Sequence, residues 1–342
     1  MRKLLNTLYV TTQGSYLHKE NETIVINSNG EKLLQLPIHT IGSVVCFGNV
    51  LCSPFLLGFC AEHDISVSFL TEYGKFLASI RSPVSGNVFL RRNQYRFADS
   101  PVQALGIAVN IVIGKISNCK VVLNRTIRDH AVKVDSEGLK KCVLDLDRLL
   151  DNITAVQNFD ELRGYEGLAA AKYFSVFDEL IVAQKKDFSF IDRNRRPPTD
   201  EVNALLSFIY TILSHDVRSA LETVGLDPSV GFLHTDRPGR YGLALDLMEE
   251  FRPFIADRLV LSLINRGQVH KNNFSRTITQ AVTMDAEARK TVLVGYQQRK
   301  QDRIYHPYIK EEVPIGLLFF IQATLLARYI RGDIDGYPPF FW

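Results

Sequence analysis

At 342 residues the chain is too long for one ordinary core and fits about two domains. Apolar residues make up 46% and charged residues 23%, which excludes a disordered or fibrous chain and describes a folded globular one. A net charge of +3 permits a nucleic-acid partner without demanding it, so local clusters must decide.

The first hundred residues read as β. Branched and aromatic segments at 8–12, 23–26, 32–36, 43–47 and 65–70 alternate with turn signals such as Gln13-Gly14-Ser15, Asn27-Ser28-Asn29-Gly30 and Tyr73-Gly74-Lys75. Ser53-Pro54, followed by Phe55, Leu56, Phe59 and Cys60 at helical spacing, predicts one helix among them. The pattern changes near 91–96. Beyond Asp99-Ser100-Pro101 the apolar period becomes 3.6, and a long helix opens at Leu105, Ile107, Val109, Ile111 and Val112. Further helices are predicted over 139–155, 159–180, 199–224, 242–265, 273–300 and 314–331, with loops at 185–198 and 300–313. The expected fold class is α+β: a small N-terminal β-sandwich-like domain (1–97), then a larger all-helical domain (98–342).

Cys46, Cys52, Cys60, Cys119 and Cys142 are odd in number and show no CxxC spacing, so they read as small buried hydrophobes in a reducing compartment. The N-terminal segment lacks an apolar signal core, and the run Ile315–Ile321 is shorter than the ~18 residues of a membrane span. A cytoplasmic location and no membrane partner are expected. There is no GxxxxGK[ST] loop, strand-borne GxGxxG, GxSxG elbow or HExxH, which removes the P-loop, dinucleotide, serine-esterase and zincin classes.

Three stretches could carry chemistry. His234 precedes the turn Pro238-Gly239, and the following helix carries Asp246, Glu249 and Glu250 at i, i+3 and i+4, with Arg237, Arg240 and Arg252 nearby. Hard oxygen donors with one imidazole suit Mg²⁺ or Mn²⁺ better than zinc. The same spacing also fits a solvated, arginine-balanced helix face and a surface histidine. Glu166 sits between Gly164 and Gly167 before an alanine run, which allows close helix packing with the acid turned into a site, or an exposed Glu beside such packing. Finally, Lys185, Lys186, Arg193, Arg195 and Arg196, and later Arg289, Lys290, Tyr296, Arg299, Lys300, Arg303, Tyr305, His306 and Tyr308, mix cations with rings. Single-stranded DNA binding uses such a mixture, and so does a solvated face.

In joint order and spacing these stretches resemble the first CRISPR-associated (Cas) protein family, the endonuclease/integrases of spacer acquisition. The resemblance rests on Leu36-Pro37-Ile38-His39-Thr40-Ile41, Phe47-Gly48-Asn49-Val50, Gly164-Tyr165-Glu166-Gly167, Arg196-Pro197-Pro198, Gly231-Phe232-Leu233-His234, the segment Leu245 to Pro253, and Leu326 to Gly332. It implies a catalytic metal site of Glu166, His234 and Glu249 holding Mg²⁺ or Mn²⁺. Asp246 is then a supporting group or conditional ligand, and Glu250 is a competitor for the third ligand position. It also implies a homodimer that uses the N-terminal domain for dimerisation and DNA contact, and a small second CRISPR-associated protein bridging two dimers. The implied reaction is attack by the 3′-OH of captured DNA on a CRISPR-repeat phosphodiester, in a system whose overall look is type I. Arg237, Arg240, Arg193, Arg195, Arg196, Arg299 and Lys300 are the candidate phosphate contacts. The rival readings are a non-catalytic DNA end-binding scaffold and a general DNA repair nuclease.

Overall fold

Strand signals and turn chemistry build the first part of the chain. A computed structural model describes residues 6–74, 76–80, 88–195 and 197–342. Its leading elements are β1 (Asn6–Val10), β2 (Tyr16–Glu20), β3 (Thr23–Ser28), β4 (Glu31–Pro37), β5 (Ile41–Phe47), β6 (Leu51–Cys52), α1 (Pro54–Glu62), β7 (Ser66–Leu70) and β8 (Phe76–Ile80). They form two four-stranded sheets, ordered β1-β5-β7-β8 and β4-β3-β2-β6. Between β3 and β4, Asn29 and Gly30 take φ of 51° and 83°, the left-handed pair that a two-residue hairpin turn needs. Ser53 caps α1 by accepting from the Leu56 amide, with Pro54 in the first turn.

The period-2 rule decides how the first sheet is used. Val44 and Cys46 of β5, with Val10 and Val67, face a core shared with Leu17, Ile24 and Ile26 of the second sheet and with Leu56 and Phe59 of α1. Val45 and Phe47, with Leu70, point the other way into the helical core. The Phe47 ring lies 5.9 Å from that of Phe208 across this boundary. Strands β5 and β7 of the first sheet are thus buried on both faces and mount the β part on the helices.

The remaining elements are α2 (Val88–Asp99), α3 (Pro101–His130), α4 (Ser136–Ile153), α5 (Phe159–Ser175), α6 (Glu201–Thr223), α7 (Gly242–Met248), α8 (Arg258–Asn265), β9 (Phe274–Arg276), β10 (Val282–Met284), α9 (Ala286–Gln301), β11 (Arg303–His306), β12 (Glu311–Pro314) and α10 (Ile315–Arg331). α3 is long and apolar enough to cross a membrane by length and composition. Its stripe of Ile107, Ala108, Ile111, Val112, Ile116, Cys119, Val122 and Leu123 is buried in the helical core, which accounts for that composition.

Three expectations change. The part beyond residue 98 is mostly but not wholly helical: β9 and β10 form one antiparallel hairpin, and β11 and β12 form another where a loop was expected. Phe274, Val282 and Thr283 favour the pleated conformation, and α9 starts only where Asp285 accepts from the Ala288 amide. Secondly, the helix predicted over 242–265 breaks after Met248. Pro253 has no N–H to donate, so the chain passes through a π-helical turn, Arg252–Asp257, before α8 begins. Thirdly, 88–99, read only as a change of pattern, is a helix.

Candidate active site

The break after α7 sets the chemistry. Glu249 follows the last residue of α7 and Arg252 opens the π-helical turn, so both side chains face inward at an irregular point of the backbone. Glu249 is buried, and its Oε1 accepts an ion pair from Arg252 at 2.7 Å. Burial alone pushes this carboxyl up, but the Arg252 guanidinium and then the Lys115 ammonium outweigh it and hold it down at about 2. Lys115, from the middle of α3, contacts Glu166 of α5 and stands 2.8 Å from Glu249 Oε2. Burial opposes its charge too, and Glu249 and Glu166 reverse that, raising it above the usual lysine range. Glu249 Oε2 is buried and receives no well-directed hydrogen bond, although the Lys115 ammonium stands beside it.

His234 is placed by Asp246. This fully buried carboxylate accepts the backbone N–H groups of Phe232 (2.6 Å), Leu233 (2.9 Å) and His234 (2.9 Å), and meets the ring Nδ1 of His234 at 2.6 Å. With Asp246 as acceptor, Nδ1 carries the ring proton and Nε2 presents its lone pair. The loop closes tightly over this acid. A Cβ at Gly231 would lie 2.7 Å from the Gly242 carbonyl carbon and 2.8 Å from Asp246 Oδ2, so both glycines are required by space. His234 itself lines a cleft of about 470 Å³ with Thr235, Asp236, Phe159 and Arg163.

Glu250 has a different task. Its buried carboxylate accepts from Tyr337 Oη (2.6 Å), Gln322 Nε2 (3.0 Å) and the Phe340 amide (2.8 Å), which clamps residues 337–340 onto the core. Both oxygens are used, so Glu250 is not a competitor for the ligand position of Glu249. The glycines beside Glu166 also have another meaning than close packing. A Cβ at Gly164 or Gly167 would meet nothing within 4 Å, and both residues are exposed.

The candidate phosphate contacts divide. Arg237 is exposed and Arg240 half-buried in the loop after His234. Arg193 is held by Asn203 (2.6 Å) and Ser207 (3.0 Å), and with exposed Arg195 it lines a second cleft of about 560 Å³ shared with Lys115, Tyr210, Arg252 and Asp257. Arg196 lies outside the described residues. Arg299 pairs with Asp302 at 2.9 Å. Lys300 is a correction: it is only 4% exposed and is committed to Asp216 at 2.7 Å and Thr7 at 3.2 Å, so it ties α9 to β1 and cannot offer a surface cation.

Sequence reasoning missed Lys115 and Asp257. Lys115 is a cation inside the apolar stripe of α3, and Asp257 an acid within the apolar run after Pro253; each is the signal of a buried polar group with a partner elsewhere. Asp257 accepts from Tyr210 (2.6 Å) and Tyr173 (3.1 Å), and burial pushes it up to about 7.

Among the described residues no three His, Cys, Asp or Glu side chains form a ready metal cage. The donor chemistry still suits a hard divalent ion: Glu166 and Glu249 meet on one ammonium, one Glu249 oxygen is buried without a directed partner, and the His234 imidazole, though in contact with neither acid, lies near enough to act on the charge of Glu249.

Comparison with known proteins agrees with this architecture. The family profile described as CRISPR associated protein Cas1 matches residues 8–298. A protein of Chlorobaculum tepidum named CRISPR-associated endonuclease Cas1 1 is 55% identical over the full length of both chains, and a Rhodospirillum rubrum protein named CRISPR-associated endonuclease Cas1 2 is 49% identical, again covering all of both. A solved Cas1 protein from Thermotoga maritima superposes with a TM-score of 0.81 at 25% identity, covering 95% of this chain and 97% of its own. A casposase bound to an integration product gives 0.83 at 25% identity, covering 98% and 93%. The chain belongs to the Cas1 family of CRISPR-associated endonucleases.

Proposed function

We propose that the chain is a divalent-metal-dependent DNA endonuclease and integrase of spacer acquisition, with Glu166, His234 and Glu249 holding Mg²⁺ or Mn²⁺. The observation that carries this reading is the buried, undirected Oε2 of Glu249 beside Glu166, with Asp246 turning His234 so that Nε2 is free to ligate. When bound, the ion supplies Lewis acidity for the attacking hydroxyl and for the charge gathering on the phosphate. The chain's own residues do the rest. Asp246 holds the imidazole in one tautomer, Arg252 keeps Glu249 ionised, and Arg193 and Arg195 line a cleft on the Lys115 side where phosphate oxygens can be met.

The substrate reading is attack by a 3′-OH of captured DNA on a CRISPR-repeat phosphodiester, with hydrolysis when water takes the place of that hydroxyl. The casposase relative is bound to an integration product, and other structures of the same fold are of a complex with Cas2 and of a complex with DNA. These support, for this chain, DNA as substrate and a small second Cas protein as partner; a homodimer is proposed with them, on the family resemblance alone. The free cysteines suit a reducing cytoplasm.

A rival reading, a DNA end-binding scaffold whose acids only stabilise the fold, draws on the ion pairs that Glu166 and Glu249 already make. Strand-transfer and nicking assays on Glu166→Ala, His234→Ala and Glu249→Ala separate the two. Folded variants that keep full activity with Mg²⁺ or Mn²⁺ would sink the enzyme reading.

A further inference from the structure

Two carboxylates that meet in a buried site need a positive charge between them. Here that charge comes from the protein itself. Lys115 reaches from α3 to Glu166 on α5 and to Glu249 just after α7. The two cations at the site are held differently. The Arg252 guanidinium pairs with Glu249 Oε1 at 2.7 Å and stacks over the Tyr210 ring at 4.8 Å, which fixes it in place. Lys115 is a point charge on a flexible four-carbon stem; it donates to Glu166, and against Glu249 Oε2 it has proximity without a directed hydrogen bond. With no ring stacked on it, it is the more readily moved of the two.

We propose that Lys115 is a resident placeholder: its ammonium occupies the cation position between Glu166 and Glu249, and a divalent ion entering there drives it out into the cleft that it lines. This rests on the metal reading given above. Charge balance supports the exchange. Glu166, Glu249 and Asp246 against Lys115 and Arg252 leave one net negative charge among these side chains, so a divalent ion added beside a retained ammonium would leave excess positive charge at close range, and release of the ammonium removes it. The exit exists as well. Lys115 borders the cleft of about 560 Å³, which the exposed Asp192 also lines, so a displaced ammonium has an opening toward solvent and one surface acid.

The test is Mn²⁺ binding to the full chain without DNA, measured by equilibrium dialysis or by loss of the free-ion EPR signal. Lys115→Met is expected to bind Mn²⁺ at least about tenfold more tightly than the parent. It should melt lower without metal and gain more in Tm on adding Mn²⁺. Lys115→Arg, which keeps a cation, should stay near the parent affinity. Equal or weaker Mn²⁺ binding by Lys115→Met overturns the placeholder, because the lysine then supports the bound ion. Should that variant not fold, an Mn²⁺-soaked crystal of the parent decides: Nζ clear of both carboxylates is expected, and Nζ still bridging them overturns the proposal. Parent binding that is absent, or that persists in Glu249→Ala, overturns the metal reading itself; intact, Glu249-dependent binding with no response to Lys115→Met overturns the placeholder alone.

Discussion

Replacing Asp246 by Asn changes a carboxylate that accepts four donors into an amide that has one acceptor oxygen. Phe232 and Leu233 N–H groups converge on Oδ2, while the His234 N–H and Nδ1 converge on Oδ1. The less costly orientation keeps the amide oxygen under Phe232 and Leu233 and turns the NH₂ toward His234. The backbone N–H of His234 is then orphaned, at about 1.5–3 kcal/mol, and two hydrogen bonds fall from charged to neutral strength, which brings the expected loss to about 3–4 kcal/mol. The NH₂ also forces His234 Nδ1 to accept, which moves the ring proton to Nε2 and removes the lone pair needed for a metal. Mn²⁺ affinity should therefore fall by about 10–100-fold. Urea denaturation and Mn²⁺ titration of the folded variant measure the two effects separately. A variant within about 1 kcal/mol of the parent and with unchanged Mn²⁺ binding would refute the role given to Asp246.

Four further outcomes follow from particular positions. Asp257 is fully buried and pushed up to about 7, above its ordinary value of 3.8, so it favours the fold below that value and this contribution is lost as pH rises through about 7. Asp257→Asn should flatten that part of the stability–pH curve, read from urea midpoints at several pH values, and parent and variant curves of the same shape would contradict it. Lys300→Met strips Asp216 of its buried cation and should cost about 3–5 kcal/mol, with no change in the salt dependence of DNA binding. Arg195→Ala, at an exposed position, should instead lower the log–log salt slope by about 1 with little effect on stability, and the reverse pattern would sink both assignments. Gly164→Ala and Gly167→Ala fill open space on α5 and should each stabilise by up to about 1 kcal/mol in thermal or urea melts. A loss of DNA affinity in these stabler variants would mark that face as one the DNA approaches.

Much of this fold is local and was legible in residues 1–342. The strands β1, β3, β4, β5 and β7, the capped helix α1, and helices α3 to α6 and α10 follow from alternation, 3.6-residue periodicity and caps, because each is set by its own side chains and turn residues. The hairpins β9–β10 and β11–β12 were not legible, because three- and four-residue strands are too short for a period to show. At the site, spacing located His234 and the acids after it, and family resemblance joined Glu166 to them. Tertiary structure decided what each acid does. Asp246, Glu249 and Glu250 lie within one stretch of five residues, yet one holds a loop and a histidine, one meets two cations, and one anchors residues 337–340. Adjacent carboxylates at a helix end leave in different directions, and only the partners brought by distant segments assign their roles. Lys115 and Lys300 make the same point for cations: in the chain each is one lysine among many, and burial against particular acids sets one between Glu166 and Glu249 and the other as a tie from α9 to Asp216.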